Sequence, residues 1–342
     1  MHVDHSNALA LANPTVASPA AAKKRSMLID VVRGMAITLV CLGHTNQGIS
    51  HRQWWGDSTV GAILNAAIYA FHMPAFFFVS GVFLLASVQK RGQRVFLLEK
   101  LRSMIYPYVL WTCIFFATSG LYARFTLQSP QSWHDFLFRL VTGAASWFLP
   151  SIFFAVFLAT LTRRVPLPLL FVLAVAVSLF WPGIDITFVD RGLKLFPFLL
   201  AGMWARDSYE LIERIPAMVA AACATLLCAA IFLVTSAPIG SSKFLYVPLG
   251  LLGTLMLMLF ANCLGRSAVA KALAWIGEAS LGIFLLSPFL QGAGREALLH
   301  IHHTTAPYPQ LILPTLLAIL VPACLYQNRA RLHVGWLFVS PF

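Results

Sequence analysis

Residues 61–88 read GAILNAAIYAFHMPAFFFVSGVFLLASV, a run of 28 positions that contains no Asp, Glu, Lys or Arg. A helix that crosses a bilayer needs about 20 mostly apolar residues, so this run is long enough to cross once with residues to spare. A proline inside a helix removes a backbone hydrogen bond, and we therefore expect Pro74 to kink this helix or to divide it.

Apolar runs of this kind recur along the whole chain and are separated by clusters of charged residues. The ten candidate spans are residues 29–46, 61–88, 104–123, 146–162, 167–182, 192–205, 216–236, 244–264, 272–290 and 310–327. The sixth is the shortest and carries Lys194. We predict an all-α fold, a polytopic transmembrane helical bundle of about ten spans.

The composition is typical of a chain that lies in the bilayer. Hydrophobic residues make up 59% of the chain and charged residues 11%, whereas a soluble domain has roughly 25% charged residues. These values exclude an ordinary soluble protein, a disordered chain and a coiled coil. The net charge of +12 is accounted for by basic cytoplasmic loops, so we predict the lipid bilayer as a partner and no nucleic acid.

The distribution of basic residues predicts the orientation of the chain. With the N-terminus inside and ten spans, 16 of the 24 Lys and Arg residues fall in cytoplasmic segments and seven on the opposite side. Because cytoplasmic loops are enriched in basic residues, both termini are expected in the cytoplasm. The predicted domains are a flexible cytoplasmic tail (1–26), a membrane domain (27–328) and a short cytoplasmic tail (329–342).

The first span carries three ionisable residues, Asp30, Arg33 and His44. An ionisable group inside a membrane costs roughly 2.5–3.5 kcal/mol on insertion scales, which favours a functional role. Arg33 and His44 are eleven residues apart, so they share one helix face and are separated by a rise of roughly 16 Å. Asp30 lies one turn before Arg33 and can pair with it. The alternative interpretation is that Asp30 and Arg33 form an ion pair at the membrane interface and that His44 simply lies near the outer end of the span.

The second span contains a histidine two residues before its proline. His72 and Pro74 indicate a polar cavity at this depth, because irregular backbone is tolerated in a membrane only where protein or water satisfies it. An imidazole, with a pKa near 6.5, can accept a proton from a sugar hydroxyl. Ser80 could be a nucleophile, but the small pair Ser80-Gly81 favours close helix packing.

Two further groups of polar residues could bind ligands. The segment from Lys90 to Arg102 holds five basic residues and Glu99, which suits an anion such as a nucleotide phosphate, although cytoplasmic loops are basic in any case. The three histidines at 300, 302 and 303 have no acidic or Cys residue beside them, so we predict no metal site. Glu278 could be buried and paired.

Several motifs resemble those of the acyltransferase-3 family of membrane O-acyltransferases and occur along the chain in the same order as in that family. The spacing of Arg33 and His44 matches the arginine–ten residues–histidine signature of that family, and residues 71–81 resemble its fucose 4-O-acetylase-like branch. The other matching motifs are Ile105-Tyr106-Pro107-Tyr108, Trp147-Phe148-Leu149-Pro150 and Gly277-x-x-Ser280-Leu281. Two positions depart from the family pattern: Lys100 and Arg102 replace an Arg-x-x-Arg, and Ser287-Pro288 replaces a histidine.

The resemblance implies a bacterial inner-membrane enzyme that uses a cytoplasmic acyl-CoA, usually acetyl-CoA, as co-substrate. The acceptor would be a hydroxyl of a surface glycan, of its lipid-linked precursor or of a related carbohydrate. His44 would be the catalytic histidine and Arg33 an active-site or donor-binding cation, with Lys100 and Arg102 as further donor contacts. His72 would orient His44 or the acceptor, and Asp30 and Ser80 would support the site.

Three alternatives remain open at this point. Acyl transfer could be direct or could pass through an acyl-histidine. The donor could carry a succinyl or a longer acyl group instead of acetyl. The chain could also be a transporter or flippase for a glycan or a lipid-linked precursor, with its polar residues lining a substrate path.

Overall fold

The computed structural model describes residues 27–125, 131–237 and 242–341. Within these ranges the chain forms α-helices joined by short turns, and it contains no strand. The helices are α1 (Met27–His51), α2 (Val60–Arg91), α3 (Gln93–Lys100), α4 (Tyr106–Phe125), α5 (Trp133–Thr142), α6 (Phe148–Leu161), α7 (Leu167–Phe180), α8 (Thr187–Trp204), α9 (Ala217–Ser236), α10 (Tyr246–Leu264), α11 (Ala268–Glu278), α12 (Ser280–His302) and α13 (Pro307–Gln327). The predicted tail 1–26 lies outside the described residues.

The helices confirm an all-α polytopic membrane protein. In the described part of the chain, five segments are long and apolar enough to cross a membrane, namely α1, α2, α9, α10 with the turn before it, and α13. The bent pair α11 and α12 makes a sixth if it counts as one span. The apolar helices α6 and α7 have 14 residues each. The number of ten spans and the side of the termini stay predictions.

The second span is one helix and is not divided at its proline. Helix α2 continues from Val60 to Arg91 with Pro74 in its interior, so the proline does not divide it, and the kink stays a prediction. A proline removes one backbone hydrogen bond, and neighbouring helices can compensate for that loss. Helix α10 packs closely against this proline at Gly250, where an added Cβ would lie only 3.0 Å from the Pro74 ring.

Residues 272–290 do not form one straight helix, so the prediction of a single continuous helix there is wrong. The chain bends by 80° between α11, which ends at Glu278, and α12, which begins at Ser280. Helix α12 then continues to His302. Hydropathy stays high across this bend and therefore could not reveal it.

Glycines let two helix pairs approach backbone to backbone. A Cβ on Gly34 would overlap the carbonyl oxygen of Leu273, and one on Gly277 would overlap that of Asp30, so α1 and α11 touch at their backbones. A Cβ on Gly81 of α2 would likewise overlap the carbonyl oxygen of Leu199 in α8. The pair Ser80-Gly81 therefore has the packing role that its small residues favour.

The segment that follows α13 folds back against the bundle. Phe338 is completely buried and packs edge-on against Tyr326, with ring centroids 5.0 Å apart. The indole Nε1 of Trp111 in α4 donates a 2.8 Å hydrogen bond to the carbonyl oxygen of Leu337. Part of the predicted tail 329–342 thus belongs to the packed structure.

Candidate active site

A cavity of about 300 Å³ lies between α1, α2, α6, the start of α12 and the segment 93–105 that follows α2. Most of its wall is apolar, and its two cations lie near each other, at the end of the cavity where its lining by α1 begins. The polar and charged lining residues are Arg33, Ser80, Ser87, Lys100, Ser103 and Ser280. An elongated apolar space with cations at one end suits a ligand that joins an anionic group to an uncharged arm.

Arg33 is held in position from two sides. Its Nη2 donates a 2.9 Å hydrogen bond to Oγ of Ser280, the first residue of α12. Its Nη1 lies 3.7 Å from Oδ1 of Asp30, which is the pairing that the sequence predicts. Asp30 is only 5% exposed, so this carboxylate balances the arginine charge at a buried position.

Ser280 reaches Arg33 because of the contact between α1 and α11. Gly34 and Gly277 bring the two helices together one turn before the bend, and Ser280 begins the next helix three residues later. The sequence includes Ser280 in a family motif but gives it no role. The spacing Gly277-x-x-Ser280 is the signal that could have indicated one.

Lys100 is the second cation of the cavity. Its Nζ lies 5.6 Å from the centroid of the Phe96 ring, and its side chain lines the cavity beside Arg33. Burial lowers the pKa of Lys100 from its ordinary value of 10.5; the nearby Arg91 and Arg33 cations lower it further, and Glu99 opposes them.

The rest of the predicted basic run lies outside the cavity. Arg102 is exposed, in the π-helical turn Leu101–Ile105 that connects α3 and α4, and it is not among the lining residues. Arg91 forms an ion pair with Glu99 at the surface. Of the predicted donor-binding residues, the structure therefore brings together Arg33 and Lys100 but not Arg102.

The cavity follows the helix face that the sequence predicts. Arg33, Ile37 and Val40 of α1 line it in turn, and His44 is the next residue on the same face. His44 is exposed but is not among the lining residues; it stands one turn, or roughly 6 Å, beyond Val40. The histidine thus lies past the end of the cavity that is opposite the two cations.

Tyr69 connects the two membrane histidines. Its hydroxyl is 3.4 Å from Nδ1 of His44, and its ring packs edge-on against His72 with centroids 4.7 Å apart. His72 is 1% exposed, and its Nδ1 donates a 2.6 Å hydrogen bond to the carbonyl oxygen of Ile68. Sequence reasoning missed Tyr69, although its position one turn before His72 places both on one side of α2.

A second set of charged residues joins the C-terminal ends of α1 and α12. Arg52 forms an ion pair with Glu296, which is 8% exposed, and His300 Nε2 lies 3.5 Å from the same carboxylate. The guanidinium of Arg295 packs directly on Gly48, one turn beyond His44. None of these contacts between distant parts of the chain has a signal in the sequence.

Glu278 and the three histidines at 300, 302 and 303 lie outside this site. Glu278 is exposed, so the expected burial is wrong; Gln327 Nε2 lies 3.5 Å from its carboxylate. Among the described residues, no group of three or more His, Cys, Asp or Glu side chains is arranged to hold a metal ion.

Comparison with protein-family models matches residues 28–327 to a family described as an acyltransferase domain. The match begins in α1 and ends at the last residue of α13, so it includes every residue of the cavity described above. Comparisons with curated proteins and with solved structures give no match.

Proposed function

The chain belongs to the acyltransferase-3 family and is therefore a membrane acyltransferase, and from this premise we propose that it transfers an acetyl group from acetyl-CoA to a hydroxyl group. The acceptor is a cell-surface carbohydrate or its lipid-linked precursor, and the enzyme works in the inner membrane. Residues 71–81, which resemble the fucose 4-O-acetylase-like branch, support a sugar as acceptor.

One observation carries the proposal. The cavity has Arg33 and Lys100 at one end and apolar walls along α1, and His44 stands one turn past the other end on the same helix face. Acyl-CoA has this same order of parts: phosphates, an uncharged arm and a reactive thioester. Arginine and lysine are the usual phosphate ligands.

In the proposed reaction the phosphates of the donor contact Arg33 and Lys100, and the arm extends along Ile37 and Val40. With the Tyr69 hydroxyl at Nδ1 of His44, Nε2 is the nitrogen that accepts the proton of the acceptor hydroxyl. The hydroxyl oxygen then bonds to the thioester carbonyl carbon, the C–S bond breaks and CoA thiolate leaves. An acyl-histidine formed at the same nitrogen is the two-step alternative.

The other predicted site residues have supporting roles in this proposal. Asp30 fixes Arg33 by the contact described above, and Ser80 offers a hydroxyl to the donor from the cavity wall. His72 acts through Tyr69, because the tyrosine ring stands between the two histidines. Arg102 contacts parts of the donor that remain outside the cavity.

Transfer of labelled acetyl groups tests the function directly. Membranes that contain the wild type, His44→Ala or His51→Ala are incubated with labelled acetyl-CoA, and label in the surface polysaccharide is measured. Loss of a general base lowers a rate by roughly 10²–10⁴-fold, so His44→Ala should transfer at least 100-fold less label. His51, an exposed histidine at the end of α1, is the matched control.

Two results would contradict the proposal. Equal labelling by the wild type and His44→Ala would remove His44 from the mechanism. Absence of label in every sample would exclude acetyl transfer to this acceptor, and repetition with labelled succinyl-CoA would then separate another donor from the transporter alternative.

A further inference from the structure

A second cavity, of about 230 Å³, lies between α4, α5, α12 and the residues that precede α6; it is called the α5 cavity below. By the predicted orientation of α4, it faces the outer half of the membrane. It adjoins the first cavity along α12, where Phe284 lines one and Pro288, one turn later, lines the other. A group held in the α5 cavity is therefore next to the space proposed for the donor.

The α5 cavity is unusually polar for a space between membrane helices. Its polar lining residues are Thr112, Thr118, Ser119, Gln131, Arg139 and Ser146. Polar side chains that converge on a space between helices can bind a ligand by hydrogen bonds. The remaining wall is formed by small residues and by Phe115 and Phe289, whose rings stack at 4.4 Å.

The hydrogen-bonding groups of this wall complement those of a sugar. Thr112 and Thr118 donate their protons to carbonyl oxygens of their own helix, at 2.7 and 2.8 Å, so their oxygens are oriented as acceptors. Arg139 has only donors and the Gln131 amide has both groups. Sugar hydroxyls donate and accept, and the C–H face of a sugar ring packs against aromatic rings such as Phe115.

The size and the charge of the cavity narrow the ligand class. Its volume is below the roughly 300–1,000 Å³ that drug-sized ligands occupy, and a single sugar ring needs less space than a nucleotide. Among the described residues that line it, one side chain is charged, that of Arg139, which suits a neutral or singly acidic sugar better than a polyphosphate.

Helix α5 places this cavity at the level of the lipid head groups. Trp133, Leu137, Phe138 and Val141 are all more than half exposed, while Phe136 is buried and stacks on Phe116 at 4.5 Å. A short amphipathic helix with exposed apolar side chains lies in the membrane interface. The sugar of a lipid-linked glycan is held at that same depth.

We propose that the α5 cavity is the acceptor subsite, which binds a sugar ring of the glycan during acyl transfer. This inference rests on the proposed function and adds the place where its acceptor is held. It assigns to Thr118, Ser119 and Arg139 the hydrogen bonding of sugar hydroxyls.

Two kinds of variant test the subsite. Thr118→Val with Ser119→Ala removes hydroxyl groups, and Ala145→Leu fills the space without removing any polar group. The matched controls are Thr225→Val and Ala229→Leu on the exposed side of α9; Thr225 makes the same bond to its own helix as Thr118 does. Transfer of label from acetyl-CoA to the surface polysaccharide is measured in membranes, and binding of labelled acetyl-CoA is measured on the purified proteins.

We expect both cavity variants to transfer at least tenfold less label. In Thr118→Val with Ser119→Ala this is the effect of about one lost hydrogen bond, and in Ala145→Leu the larger side chain occupies the space of the sugar ring. Their acetyl-CoA binding should stay within twofold of the wild type, and the α9 controls should match it in both measurements. Wild-type transfer by the cavity variants would overturn the subsite and leave the proposed function standing. Loss of both transfer and donor binding would show a structural role and overturn it too. Absence of transfer by the wild type would overturn the proposed function, and the subsite with it.

Discussion

At the scale of single residues, the candidate site depends on how Arg33 is held. Its contacts to Asp30 and to Ser280 come from opposite directions along the chain, at separations of 3 and 247 residues. The nearer partner follows from helix spacing. The distant one follows only from the way α12 begins beside α1, so no pattern within α1 indicates it.

Removing the distant partner should weaken donor binding. In Ser280→Ala, Arg33 loses its hydrogen-bond acceptor, and a hydrogen bond to a charged group contributes about 1.5–3 kcal/mol. We expect the KM for acetyl-CoA to rise about tenfold or more, with a smaller effect on kcat. Ser280→Thr, which keeps the hydroxyl, should restore binding in part. Ser236→Ala on the exposed end of α9 is the control, and an unchanged KM in Ser280→Ala would contradict this role.

Lys100 should give donor binding an alkaline limit. Burial and the Arg91 and Arg33 cations lower the pKa of Lys100 from 10.5, and only the protonated ammonium attracts phosphate. Affinity for acetyl-CoA should therefore be highest while Lys100 is protonated and should fall as the pH rises through its lowered pKa, before an ordinary lysine would lose its proton. In Lys100→Arg the guanidinium stays charged, so this fall should disappear. Binding of labelled acetyl-CoA is measured between pH 7 and 10 for the wild type and for Lys100→Arg. The same pH dependence in both proteins would contradict the role of Lys100 in donor binding.

The residues of the site differ in how far the sequence predicts them. Arg33 and His44 stand out because ionisable groups are rare in apolar helices and their spacing defines one face. Tyr69 was missed because a tyrosine costs little in a membrane and attracts no attention beside two histidines. The prediction for Arg102 followed from a cluster of charge, but the helical turn at 101–105 turns that side chain to the surface.

At the scale of helices, the crossing of α1 and α11 sets the geometry of the cavity at the end where Arg33 lies. Gly34 and Gly277 allow the two backbones to touch, and Arg33 and Ser280 are beside that contact. Close crossings at small residues are common between membrane helices. The sequence predicted both helices but joined α11 to α12, because hydropathy reports burial in lipid and carries no signal for a change of direction.

A methyl group at this crossing should destabilise the protein. Gly277→Ala would place its Cβ on the backbone oxygen of Asp30, and overpacking of this kind costs about 1–3 kcal/mol. Gly120→Ala in α4 is the matched control, because its Cβ would meet nothing within 4 Å and alanine favours a helix by up to about 1 kcal/mol. Thermal unfolding in detergent should therefore show a lower Tm only for Gly277→Ala. Equal Tm values for both variants would contradict the tight crossing.

The ion pair at the opposite end should fasten α12 to α1. Arg52 and Glu296 are both close to 10% exposed in their side chains, and removal of one partner of a buried pair costs about 3–5 kcal/mol. Arg52→Met and Glu296→Met should each lower the Tm clearly, whereas the double variant with both changes should recover part of the loss. A double-mutant cycle measures the coupling, and additive losses would show that the pair contributes nothing.

At the scale of the whole molecule, hydropathy predicted an all-α membrane bundle, and the helices confirm it. Five to six segments have the length and composition of spans within the described residues. Helices α6 and α7, with 14 residues each, are shorter than the usual range for a crossing. The predicted ten spans therefore require α4 and α8 to cross the membrane as well as α6 and α7, and this stays a prediction.

Reporter fusions can determine the topology of the chain. A fusion after Arg164, between α6 and α7, should report the cytoplasm, and a fusion at Lys243, before α10, should report the opposite side. This follows from ten spans with the N-terminus inside and from the bias of basic residues toward the cytoplasm. The reverse result at either site would overturn the span count.

The bend at the start of α12 also bears on how far the charged phosphates of the donor have to enter the membrane. Helix α12 has 23 residues, a length of roughly 34 Å that suffices for the full hydrocarbon core. With α12 as the crossing helix, its first residue, which contacts Arg33, lies at one boundary of that core, and α11 turns away from the α12 axis by 80°. A nucleotide held by Arg33 and Lys100 would keep its phosphates in the aqueous layer. Only the neutral arm would enter the lipid region, so the enzyme could deliver an activated acyl group across the membrane without the energetic barrier of carrying an anion through it.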